Sequence, residues 1–160
     1  MSNVQLRTNI VGAHTTVSVT ALSGNGQASD SIIVRECSVI GVSVPNVTGG
    51  NSVQGTVTLD RAAPDGGLPV SLADNDAGTT VPAQITVPEG ATVGTFNVQT
   101  QLTPIDRTVS VQASGPGSGA QGSFTRLGVS LTSAVVTPDP VWNTQPSGIR
   151  LTLNRAAPTS

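Results

Sequence analysis

The chain has 160 residues, of which 10% are charged and 2% aromatic, with 18 Gly, 11 Pro and a formal net charge of −2. All seven basic residues are Arg and none cluster, which excludes electrostatic nucleic-acid binding, and no apolar run reaches the ~20 residues of a membrane-spanning helix. One Cys and one His exclude an internal disulfide and a Cys/His zinc site built from one chain. Val, Thr, Ser and Gly dominate what remains, and these are poor helix formers, so the expected class is all-β.

In chain order, the first recognisable stretch is TTVSVTA at 15–21. It matches RTVSVQA at 107–113, 92 positions on, and the match reaches back to Thr8 against Thr100. Residues 1–38 therefore read as the second half of a repeat whose whole copy follows. Within 39–126, apolar and polar residues alternate with period two, as in strands with one buried face. Val53, Gly55, Val57 and Leu59 point one way, and Gln54, Thr56 and Thr58 the other. Val81, Ala83, Ile85 and Val87 behave likewise, as do Phe96 and Val98, and then Val109, Val111 and Ala113.

Gly/Pro/Asn/Asp turns separate seven predicted strands at about 39–44, 52–60, 68–73, 79–87, 92–100, 106–114 and 119–127. Seven short strands in under about ninety residues is the pattern of an immunoglobulin-like sandwich, here without the Cys…Trp…Cys core of antibody domains.

Beyond 127 the chain starts again. TLDRAAP at 58–64 returns as TLNRAAP at 152–158, 94 positions on, and GVS at 41–43 returns at 128–130, 87 positions on. The expected organisation is tandem immunoglobulin-like sandwiches with a period of about ninety residues: the C-terminal part of one repeat in 1–38, a complete repeat in 39–126, and the N-terminal part of the next in 127–160. This third copy carries an insertion near 138–148. The chain reads as a window cut across a longer array. Head-to-tail completion between chains would lack the positions equivalent to 67–92. Short linkers are expected at 37–40 and 125–128.

The strings VTGGNSVQGTVTLDRAAPDGGLPVSL, TVPAQITVPEGATVGTFNVQT and TVSVQAS, spread over 47–114, resemble the bacterial immunoglobulin-like repeats of very large surface proteins. The Gly-Gly turn, G-T-V-T-L strand, A-P-x-G-G turn and T-F-x-V strand of that family are all present. The resemblance implies a non-catalytic structural segment of a long extracellular or cell-surface protein: a stalk, filament or adhesin shaft. The segment from Val135 to Ile149, longer and Trp-containing, departs from the family's compact turn. Some surface domains of this kind lock themselves with a Lys–Asn isopeptide bond; a chain without Lys does not. The implied partners are neighbouring repeats of the same protein, with homotypic lateral or head-to-tail association through edge strands that carry few charges.

Against this background the chemically suggestive residues are few. His14 falls opposite Asp106 in the repeat and reads as an exposed turn residue, with no nucleophile or orienting carboxylate to make it catalytic. Cys37, near a repeat boundary with Arg35 and Glu36 beside it, reads as a small junction residue or, in an extracellular chain, a cross-linking thiol. Asp74 and Asp76, with Asn75 between them, supply oxygens suited to calcium, but the Gly and Glu of an EF-hand loop are out of register, and Asx-rich turns form for local reasons. Trp142 reads as a packing residue over a sandwich end or as a sugar-stacking platform. The sugar-stacking alternative makes the chain a glycan- or surface-binding accessory module of a secreted enzyme or phage particle. Asn46-Val47-Thr48 matches a glycosylation acceptor. No nucleophile–base pair, metal cluster or phosphate loop is legible, and an enzyme is not expected.

Overall fold

The computed structural model describes residues 5–137 and 146–158. Thirteen strands are assigned among them and no helix. Two form a hairpin, β1 (Thr15–Ser23) with β2 (Gly26–Val34), and nine build a two-sheet sandwich. The sandwich strands are β3 (Val39–Ser43), β4 (Val47–Thr48), β5 (Ser52–Leu59), β6 (Leu68–Asp74), β7 (Thr79–Thr80), β8 (Gln84–Val87), β9 (Val93–Thr100), β10 (Arg107–Gly115) and β11 (Ser118–Leu127). A second hairpin follows, β12 (Leu131–Thr137) with β13 (Gly148–Leu153).

One sandwich sheet has the order β3-β5-β9-β7 and the other β4-β11-β10-β6-β8. The first strand of the unit is split, β3 joining one sheet antiparallel to β5 and β4 the other, parallel to β11. This is the strand order of an immunoglobulin-like sandwich. The core lies between the sheets, where Val57, Leu68, Val70, Val87, Val98, Val109 and Val111 are fully buried. With few aromatics, packing needs small residues in places. A Cβ on Gly55 would sit 2.5 Å from the ring of Phe96, so Phe96 takes the volume that Gly55 leaves. The β10–β11 turn runs through Pro116 and Gly117, whose φ of 79° suits the third position of a type II turn.

Three expectations need correction. The strand expected over 79–87 is two short ones on opposite sheets: Thr79–Thr80 pairs with β9, and Gln84–Val87 with β6. Pro82 has no N–H to give either ladder, and the chain crosses the sandwich edge there, leaving Ala83 exposed. The linker expected at 125–128 lies at 128–130, because β11 continues to Leu127. The GVS match does not join equivalent positions: GVS at 41–43 lies within β3 and at 128–130 before β12.

The outer hairpins follow the pairing of the sandwich itself. β1–β2 runs from Thr15↔Val34 to Ser23↔Gly26, and β10–β11 from Arg107↔Arg126 to Gly115↔Ser118, every partner 92 positions further on. In β3–β5 the pair Val39↔Leu59 is followed by a bulge before Gly41, and in β12–β13 the pair Leu131↔Leu153 by a bulge before Ser133. Burial separates hairpins from sandwich. Val17 and Val19 are 38% and 37% exposed, whereas Val109 and Val111 in the matching places are at 0%.

Candidate functional site

The polar structure of the sandwich concentrates at the end where β11 hands the chain to β12. Arg126 continues the inward phase of Phe124 and is itself buried. Its Nη2 lies 3.1 Å from Asp76 Oδ2, and its Nη1 donates to the carbonyls of Gly78 (2.9 Å) and Gln101 (3.1 Å). Gly78 is needed because a Cβ there would occupy the guanidinium's place. The Arg126 Nε has no partner. Charge pairing and carbonyl acceptors offset the cost of burying the cation.

Outside this plug sits the loop 101–106. The Thr103 hydroxyl donates to the Ile105 carbonyl (3.0 Å), and the Thr103 carbonyl accepts the Val129 N–H at 2.7 Å. Asp106 Oδ1 accepts the Gly128 N–H at 2.8 Å and Arg155 Nη1 at 2.8 Å, and Oδ2 accepts Arg155 Nη2 at 3.2 Å. Arg155 Nη1 also donates to the Gly128 carbonyl at 2.7 Å, and Asn154 Nδ2 to the same oxygen at 3.2 Å. The Gly128 N–H first, and Arg155 second, hold the Asp106 carboxyl below its ordinary value. A Cβ on Gly128 would lie 2.5–2.6 Å from the Ile105 backbone, so only glycine lets the two segments touch. A Cβ on Gly50 would meet Pro158 at 2.8 Å. The contact between loop 101–106 and the β12–β13 segment is made of a bidentate ion pair and backbone bonds.

The residues singled out from sequence fall in different places. His14 lies exposed just before β1, with Nδ1 3.6 Å from Glu36 Oε1. Cys37 is buried, its thiol 3.5 Å from the Arg61 carbonyl; burial, and then Asp60, raise its pKa. Asp74 ends β6 and Asp76 lies in the turn after it; Asp74 Oδ1 accepts the Asp76 N–H, and Asp76 Oδ2 accepts the Thr79 hydroxyl at 2.9 Å as well as facing Arg126. Asn75 Oδ1 accepts the Ser110 N–H at 2.9 Å. Among the described residues no group of three or more His, Cys, Asp or Glu is placed to hold a metal ion. Asn46 Oδ1 accepts the Thr125 N–H at 2.7 Å. Trp142 lies outside the described residues. Sequence reasoning missed Arg126, although its even spacing from Phe124 put a cation in phase with the core. It also missed Arg155, although the change from Asp60-Arg61 to Asn154-Arg155 stood inside the repeat.

No protein-family profile and no curated protein sequence matches the chain. Solved structures do match, among them one described as "I9-I11 tandem from titin", 9% identical with a TM-score of 0.49; the match covers 89% of this chain and 52% of that one. The chain thus spans about half the length of that structure.

Proposed function

We propose that the chain is a non-catalytic structural segment of tandem immunoglobulin-like units, serving as a stalk, filament or adhesin shaft in a long extracellular or cell-surface protein of bacterial type. The observation that carries this is the shared register of β1–β2 and β10–β11, every pair displaced by 92 positions. A hairpin ahead of the sandwich with the same length, turn position and pairing as the sandwich's own last hairpin is what successive copies of one unit supply. The period is then 92 residues between the first two units and 92 to 94 between the second and third, as the pairs Val39↔Leu59 and Leu131↔Leu153 give it. Repetition with joints that carry hydrogen bonds suits a protein whose task is to hold two things a set distance apart. Surface strands rich in Thr, Ser, Gln and Asn keep such a shaft in water.

Small-angle scattering of the whole chain tests this. A single compact domain of 160 residues has a radius of gyration of roughly 15 Å. Units strung end to end give a clearly larger value with an elongated distance distribution. A globular profile near 15 Å overturns the proposal.

A further inference from the structure

The two joints of this chain are built on one scaffold and hold different chemistry. At each, the first strand of a unit begins beside an Asx-Arg pair. Asp60 Oδ1 accepts the Ser38 N–H at 2.8 Å, and Asn154 Oδ1 accepts the Ser130 N–H at 2.8 Å. The Asp60 and Asn154 N–H groups each donate to the same serine's carbonyl at 3.0 Å. The one difference at this position is the second side-chain atom. In Asp60 it is a carboxylate oxygen, and Arg61 folds back on it, with Nη2 at 2.7 Å and Nε at 3.0 Å. In Asn154 it is an amide nitrogen, which cannot accept from a guanidinium and donates to Gly128 instead. Arg155 is therefore free to reach the preceding unit.

What it reaches also differs. Displaced by 92 positions, Asp106 becomes His14 and Gly128 becomes Glu36. A His cannot take a bidentate guanidinium, and Glu36 puts a side chain where Gly128 lets the linker lie against the Ile105 backbone. The side-chain pair left there is His14 with Glu36 at 3.6 Å, and Gly12 approaches Gly117 of the β10–β11 turn through backbone alone.

We propose that the end of each unit is a docking surface for the Asx-Arg corner of the next, and that three positions decide whether it engages. Asp106, Gly128 and Asn154 make a clamped joint; His14, Glu36 and Asp60 make a released one. The partner is thus another unit of this chain, recognised by an unneutralised Arg. Bending is set joint by joint through these three positions, at almost no change to the fold. Its generality rests on the tandem arrangement proposed above, but its test needs only the two joints of this chain, so the two fail separately.

Residual dipolar couplings of the whole chain read the joints directly, one alignment tensor for the sandwich and one for each hairpin. In the native chain the β12–β13 hairpin is expected to share the sandwich's tensor and the β1–β2 hairpin to have its own. Asn154→Asp gives Arg155 a carboxylate at its own side and is expected to split the β12–β13 tensor from the sandwich. Amide shifts of Val57, Val109 and Val111 stay in place as the check on folding. The triple change His14→Asp, Glu36→Gly, Asp60→Asn is expected to merge the β1–β2 tensor with the sandwich, a gain that misfolding does not imitate. A common tensor retained in Asn154→Asp, or no merging in the triple variant, overturns the proposal.

Discussion

Arg126 and Asp76 meet at 3.1 Å inside the end of the sandwich, with their side chains only 5% and 16% exposed. The pair joins β11 to the loop after β6, and the same guanidinium holds the Gln101 carbonyl. The loop that docks the next segment is thus anchored from within by a cation and from without by Val129, Gly128 and Arg155.

Removing the cation leaves the mostly buried Asp76 without its counter-charge and the Gly78 and Gln101 carbonyls without their donor. Arg126→Met should therefore cost about 3 kcal/mol, the lower end for breaking a buried pair. Urea denaturation should show the lower midpoint at an unchanged slope.

Asp76 already faces Arg126 and Thr79, so little of its charge is available to a cation. Added millimolar calcium should leave the thermal midpoint of the folded protein where it was. A rise with concentration that saturates would mean that calcium displaces Arg126.

Gly55 and Phe96 share one volume. Gly55→Val places a Cβ at 2.5 Å from the ring and branches beyond it, which should cost about 1–3 kcal/mol by overpacking. Adding Phe96→Leu makes room and should return part of the loss. Comparing the single and double variants by thermal unfolding measures this coupling.

Cys37 is buried, and its raised pKa keeps it a thiol at neutral pH. An alkylating reagent should label the native protein slowly and the urea-unfolded protein at once. Rapid native labelling would show that the start of the sandwich opens readily.

The folded-state pKa of Asp106 lies below its ordinary value of 3.8. Its contribution to the joint is therefore fully present above that value and is lost as pH falls through the lower folded value. The group facing it is Arg155, which stays charged throughout. The Gly128 amide resonance should titrate with a midpoint below 3.8, and Asp106→Asn should abolish that titration.

Much of the fold follows from pattern alone. Alternation placed Val57, Leu59, Phe96, Val98, Val109 and Val111 on buried faces, because a strand between two sheets must turn every second side chain inward. A repeated string aligned β1 with β10, and the pairing of β2 and β11 at the same displacement came from the structure. Turn residues marked most strand ends. The split of 79–87 was not legible, because its apolar alternation is the same whether one sheet or two receive it; Pro82 and the sandwich edge decide.

The candidate site divides the same way. The sequence by itself determined an all-β chain with recurring strings, the absence of Lys, and the exchange of Asp60 for Asn154 within one of them. Only the tertiary structure decided that Arg61 turns to its neighbour while Arg155 reaches Asp106, 49 positions earlier in the chain. The physical reason is that a guanidinium goes to whichever carboxylate lies within reach. Reach is set by the close approach of two backbones at Gly128 and Ile105, which no local pattern encodes.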